Sequence, residues 1–257
     1  MTALVSERRS QICLGLDPGA DVPADGVAAY CAGLIERAGP ACVAVKPQLA
    51  CFERHGAPGW EALGEVVHAA QRDGLLVLAD GKRGDVPSTA AVYAEALVDG
   101  LGADAFTVNP LLGGDALEPF VAAAESAGAG VFSLVRTSNP GGADLQDAGD
   151  PPLREQLAGL VADRADRLTG ESGLSGMGAV VGATHPELMA RLRELMPASI
   201  FLIPGVGAQG GKPEDLAPAL VEGKPASILV AAARSIAGAA DPAAAAAELR
   251  DAVWALL

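Results

Sequence analysis

Eight short apolar runs recur along this chain at intervals of roughly 30 residues, the length of one strand–helix unit. Each run gives way to polar, Gly or Pro residues and then to a stretch of helical periodicity. Together they predict an α/β fold of eight successive units with right-handed crossovers, a closed (β/α)8 barrel of the TIM type. Composition points the same way. Half of the residues are hydrophobic but only 4% are aromatic, so the core must come from Ala, Val, Leu and Ile, as in parallel strands buried on both faces. No Ser/Pro-rich linker or shift in composition divides the chain, so residues 1–257 are expected to form one domain.

The first run, 12–16, ends in Leu16-Asp17-Pro18-Gly19-Ala20. That turn cannot serve as the GxGxxG of a doubly wound dinucleotide-binding sheet, the other common parallel architecture. The second run, 42–45, ends at Lys46, and the third, 75–79, enters Asp80-Gly81-Lys82-Arg83-Gly84-Asp85. The fourth, 105–108, stops at Asn109-Pro110, which reads as a structural turn. The fifth, 131–135, leads to Thr137-Ser138-Asn139-Pro140-Gly141, either a polar edge offered to a ligand or simply a turn. The sixth, 179–181, precedes Gly182-Ala183-Thr184-His185. The seventh, 200–203, precedes the glycine-rich 204–211, and the eighth, 228–231, brings Arg234 to the start of the last unit. Helical periodicity is clearest over 60–72, 89–97, 186–195 and 242–256. Barrel enzymes carry their sites at the C-terminal ends of the strands, so these strand ends are also the candidate site residues.

The net charge of −14 disfavours nucleic acid or an anionic membrane as a partner. It leaves room for one small anion, which needs only local positive charge and free backbone N–H groups. Residues 1–9 have no signal-peptide h-region, no stretch of about 20 apolar residues occurs, and the four cysteines form no CxxC pair. A cytoplasmic location is expected. The three histidines make no HExxH or Ser/His/Asp set, so neither a zinc enzyme nor a triad hydrolase is supported.

Only four lysines occur, and two of them, Lys46 and Lys82, stand at adjacent strand ends beside acids. With period-two alternation Asp80 and Lys82 point to one side, and Asp85 approaches the same ammonium from the loop. An alternating Lys46–Asp80–Lys82–Asp85 array keeps all four groups ionised. Such an array either closes the barrel top as a salt-bridged strand end or has an electrostatic use, in which a fixed carboxylate would repel a substrate carboxylate and the adjacent ammonium would protonate the carbanion left when CO2 departs. The glycines of 204–211, Gly207 among them, and Arg234 suit a phosphate, a recurrent feature after strands seven and eight of barrels. Asp17 suits ribose-type hydroxyls or merely forms the turn before Pro18.

The order of these motifs resembles the orotidine 5′-phosphate decarboxylase family, nearest to its bacterial type 2 subgroup. The resemblance rests on Leu16-Asp17-Pro18, on Val45-Lys46-Pro47-Gln48 with Phe52-Glu53, and on Asp80-Gly81-Lys82-Arg83-Gly84-Asp85-Val86 with Thr89. It continues through Val108-Asn109-Pro110, Thr137-Ser138-Asn139-Pro140-Gly141, Val181-Gly182-Ala183-Thr184, the loop 204–211 and Arg234-Ser235. Ala232-Ala233 and Val86 depart conservatively from the commoner family pattern, and 141–152 carries no interpretable motif and reads as a mobile loop.

The resemblance implies decarboxylation of orotidine 5′-monophosphate to UMP, the last step of de novo pyrimidine biosynthesis, without metal or organic cofactor. It implies Lys82 as proton donor, Asp80 against the departing carboxylate, and Lys46 between Asp80 and the ribose. Asp17 would bind ribose, Ser138 the pyrimidine edge, and Gln209 with Arg234 the phosphate. It further implies a homodimer in which Asp85, with Thr89 beside it, enters the partner subunit's site. Two alternatives are a magnesium-dependent sugar-phosphate lyase of the same superfamily and an inactive nucleotide-binding barrel. The first would place an acid, not Lys46, after strand two.

Overall fold

The structure is a computed structural model describing residues 1–257. Its strands are β1 (Ile12–Leu16), β2 (Ala44–Pro47), β3 (Leu76–Arg83), β4 (Ala105–Val108), β5 (Gly130–Arg136), β6 (Ser175–Val181), β7 (Ser199–Pro204) and β8 (Ile228–Ala232). All neighbours pair in parallel and β8 closes onto β1, giving the expected (β/α)8 barrel. The helices are α1 (Thr2–Arg8), α2 (Val27–Ala38), α3 (Leu49–Glu53), α4 (Ala57–Arg72), α5 (Pro87–Glu95), α6 (Gly114–Ala127), α7 (Gly142–Gln146), α8 (Leu153–Ala162), α9 (Pro186–Leu195), α10 (Arg234–Ala237) and α11 (Pro242–Trp254). None is long and apolar enough to cross a membrane.

Alternation along each strand creates two cores. Outward residues such as Leu14, Val45, Val77, Phe106 and Phe201 pack under the helices. Inward residues such as Cys13, Ala44, Leu78, Phe132 and Leu202 fill the barrel. All five phenylalanines are buried, each contributing about 1.5–3 kcal/mol by area removed from water. Cys13, Cys31 and Cys42 are buried as well, and burial pushes the Cys13 and Cys31 thiols up to about 12, so neither acts as a nucleophile.

Four elements differ from the sequence expectation. Strands β2 and β3 run on through Lys46 and through Lys82, so these charged side chains belong to the sheet and do not lie past it. Strand β6 begins four residues before the apolar run because Gly176 and Gly178 interrupt its hydrophobic pattern. A Cβ at Gly178 would lie 2.5 Å from the Phe132 ring, which takes that space inside the barrel. The unit after β7 has no α-helix: Pro213–Ala219 forms a 3-10 turn, with Pro218 unable to donate a helical hydrogen bond.

Near the N-terminal ends of β7 and β8, Arg193 of α9 is buried between the helix layer and the strands. Its guanidinium donates to the carbonyls of Ala219 (2.9 Å), Met196 (2.9 Å), Ser199 (2.6 Å) and Ser227 (3.0 Å) and lies 3.7 Å from the Phe201 ring centroid. Burial lowers its pKa to about 10, which leaves it charged at neutral pH. An Arg193→Met variant strands four carbonyls and is expected to lose about 2–4 kcal/mol of stability in urea titrations with kcat unchanged. A fall in kcat at full stability would contradict this purely structural assignment.

Candidate active site

The C-terminal ends of the strands surround a cavity of about 390 Å³. Its floor is apolar, made by inward residues including Leu134, Val180 and Leu202. One wall carries Asp17, Lys46, Gln48, Asp80, Lys82 and Thr107, and the opposite wall carries Ser138, Gln209, Arg234 and Ser235.

Asp80 is the hub of the charged wall. Its Oδ2 accepts from Lys46 Nζ at 2.5 Å and from Gln48 Nε2 at 3.1 Å, and its Oδ1 accepts from Lys82 Nζ at 2.6 Å and from Thr107 Oγ1 at 2.9 Å. Two donors on each oxygen use the whole acceptor capacity of a carboxylate. Burial alone would raise the Asp80 pKa, but the charges of Lys46 and Lys82 outweigh it and hold the carboxyl at about 2. Burial would likewise lower the Lys46 pKa, yet Asp80 and then Asp17 raise it above the ordinary lysine value. The two ammoniums differ in access: the Lys82 side chain is 42% exposed and that of Lys46 is 9% exposed. Lys82 can therefore meet a ligand while Lys46 remains a fixed counter-charge.

Lys82 reaches Asp80 by an unexpected route. Its φ is +46°, in the left-handed region, where alternation along an extended strand no longer applies. The β3–β4 register shifts between Ala79 and Arg83, and the ammonium still turns back to the Asp80 carboxylate. Arg83 then points outward, paired with Glu53 and lying 5.4 Å from the Tyr93 ring centroid, which ties β3 to α3 and α5.

The chain brings together three members of the four-residue array. Asp85 is not paired with Lys82; its carboxylate accepts the neighbouring Val86 N–H at 2.7 Å, and Thr89 is exposed on α5. Around them Val86, Val92, Leu111 and Leu112 are exposed apolar side chains.

On the far wall, Ser138 follows β5 and packs against Gly182, where a Cβ would come within 2.7 Å of the serine backbone. Thr184 Oγ1 donates to the Ser138 carbonyl at 3.1 Å. The segment expected to be a mobile loop instead forms α7 and is tied down by charge. Buried Arg136 donates to both Asp147 oxygens at 3.0 and 3.1 Å, and Arg154 reaches Asp147 at 2.8 Å. Gln146 Oε1 accepts the Thr137 N–H at 2.8 Å, so the polar edge that includes Ser138 is braced from behind. Gly205, Gly207 and Gly210 take positive φ in the loop after β7, with Gly207 beside Ser235. Gln209 and Arg234 are exposed above the cavity. His185 stays outside the cavity and contacts Glu187 at 3.2 Å.

Gln48 and Thr107 complete the Asp80 shell, although sequence reasoning gave neither a role. For Gln48 the signal was its place beside Lys46; Thr107, inside an apolar strand, offered none.

A cavity with one ionised carboxylate clamped by ammoniums, and a glycine loop with an arginine across from it, suits a small phosphorylated anion. The protein is a barrel enzyme for such compounds. Its sequence places it within that class: the family model described as "Orotidine 5'-phosphate decarboxylase / HUMPS family" matches residues 10–249, and the chain belongs to this family. It is 44% identical over 227 residues to the orotidine 5'-phosphate decarboxylase of Deinococcus radiodurans, covering 87% of this chain and 82% of that protein. Among solved structures, Leishmania donovani OMP decarboxylase superposes with a TM-score of 0.84 at 39% identity, covering 99% of this chain and 97% of that one. Leishmania donovani UMP synthase gives a TM-score of 0.85 at 40% identity over 98% of this chain, which spans only 55% of the synthase.

Proposed function

We propose that this chain decarboxylates orotidine 5′-monophosphate to UMP, completing pyrimidine nucleotide synthesis. The observation that carries the reading is Asp80, kept ionised between Lys46 and Lys82 at the wall of a cavity with an anion-binding loop opposite. The substrate phosphate sits against the loop of Gly207 and Gln209 and against Arg234, the ribose near Asp17, and the pyrimidine edge at Ser138. That pose sets the substrate carboxylate against Asp80, whose negative charge destabilises it before reaction. The C6–carboxylate bond then breaks with its electron pair left on C6. Lys82 transfers one N–H proton to that carbon, CO2 leaves, and the neutral amine regains a proton from solvent.

Asp85 and Thr89 enter the partner subunit's site in this reading, making a homodimer. The apolar side chains exposed around them support a buried interface there. Four unpaired thiols fit a reducing cytoplasm.

The test is loss of orotidine absorbance with matching formation of UMP and CO2, on protein whose solution mass is measured in parallel. Turnover is expected to survive EDTA, because the Asp80 oxygens are already filled by four donors and Lys46 repels a cation. No absorbance change at micromolar enzyme would leave an inactive barrel, and loss of activity on chelation would favour the magnesium-dependent lyase. A monomeric mass would remove the shared site.

A further inference from the structure

The left-handed backbone at Lys82 raises the question of what keeps it there. A non-glycine residue in this region is strained and persists only where its surroundings fix it. The register shift between Ala79 and Arg83 takes Lys82 out of the regular β3–β4 ladder, which resumes where the Asn109 N–H donates to the Arg83 carbonyl at 2.7 Å. The Lys82 N–H needs another acceptor, and it finds Thr107 Oγ1 at 2.9 Å.

Thr107 projects inward from β4 and is 1% exposed. Its hydroxyl has a single proton. The lone pair facing Lys82 accepts the main-chain N–H, and the proton goes to Asp80 Oδ1 at 2.9 Å. The same oxygen receives the Lys82 ammonium at 2.6 Å. One hydroxyl thus fastens both ends of the lysine, its backbone directly and its ammonium through the shared carboxylate oxygen. Threonine suits this task because branching at Cβ restricts χ1. Val has the same shape but offers neither the acceptor nor the donor.

We propose that Thr107 is a positioning residue for proton transfer: its hydroxyl holds Lys82 in the left-handed conformation that aims the ammonium into the cavity. At 1% exposure Thr107 offers the cavity little surface and acts through Lys82. The proposal rests on Lys82 being the proton donor, so its test needs a structural arm as well as a kinetic one.

Thr107→Val and Thr107→Ser are made in the full-length protein. In the kinetic arm, Thr107→Val is expected to lower kcat on orotidine 5′-monophosphate by about 10- to 100-fold, the scale of a misaimed catalytic group, while KM moves by less than about threefold. Thr107→Ser, which restores both hydrogen bonds, is expected to return kcat to within about fivefold of the parent. In the structural arm, a crystal structure of Thr107→Val is expected to show the Lys82 φ out of the positive region or its ammonium displaced from Asp80 Oδ1. An unchanged Lys82 conformation in that crystal overturns the proposal whatever the activity, and a Ser variant as slow as the Val variant does so too. A parent protein without decarboxylase activity would instead refute the functional reading, and the crystal would still decide the role of Thr107.

Discussion

Lys82→Ala is expected to lower kcat for decarboxylation by at least about 1,000-fold, within the range assigned to a general acid, while UMP still binds. The expectation follows from access. Of the two ammoniums on Asp80, only the Lys82 side chain is substantially exposed to the cavity, at 42%. Lys46 is tied to Asp80 at 2.5 Å under the cavity wall and cannot be moved to C6 without breaking a buried ion pair. Removing Lys82 leaves Asp80 with Lys46, Gln48 and Thr107 as donors, so the fold keeps its counter-charge and the variant remains folded. Initial rates together with calorimetric UMP binding separate the two effects. A variant with near-parental turnover would rule out Lys82 as proton source even if the decarboxylase activity were real.

Asp80→Asn carries the second large effect, and here it falls on stability as well as on rate. The amide cannot neutralise Lys46, which is only 7% exposed, and breaking a buried pair from one side costs about 3–5 kcal/mol. Urea unfolding near neutral pH measures this directly, and a loss below about 1 kcal/mol would show that Lys46 finds another counter-charge. The pH dependence has a definite sign. The folded-state pKa of Asp80 is depressed from 3.8 to about 2, so the native state binds fewer protons than the unfolded chain over that interval. The stabilisation is fully present above about pH 4 and is lost as pH falls toward 2. The parent should therefore lose stability in that window more steeply than the Asn variant.

Much of this architecture was legible in the residues because buried parallel strands are written as unbroken apolar runs. The runs before Asp17, Asn109 and Arg234 needed no correction of type or order. Legibility failed where a side chain served two purposes. Lys46 and Asp80 read as strand ends because charge ends an apolar run, yet the strands continue past both, their charges cancelling inside the barrel. Gly178 hid half of β6 because its missing side chain is filled from β5 by Phe132. Asp147 sat in a segment without a motif, and its role depends on Arg136, which the apolar pattern of β5 does not announce. Thr107 looked like an ordinary β-former, since a hydroxyl's partners depend on the neighbouring strand. Asp85 read as the fourth member of the array from its place in the sequence, yet its carboxylate turns to the Val86 N–H.

The left-handed backbone at Lys82 sets the activity of this barrel against its robustness. Glycine would rest at that φ without strain, whereas lysine is held there at a cost by the surrounding hydrogen bonds. A screen that rewarded only thermal resistance would thus favour relief at position 82 and remove the proposed proton donor. Hardening this protein for use calls for changes elsewhere, on the outer helices, with the β3 kink left under tension.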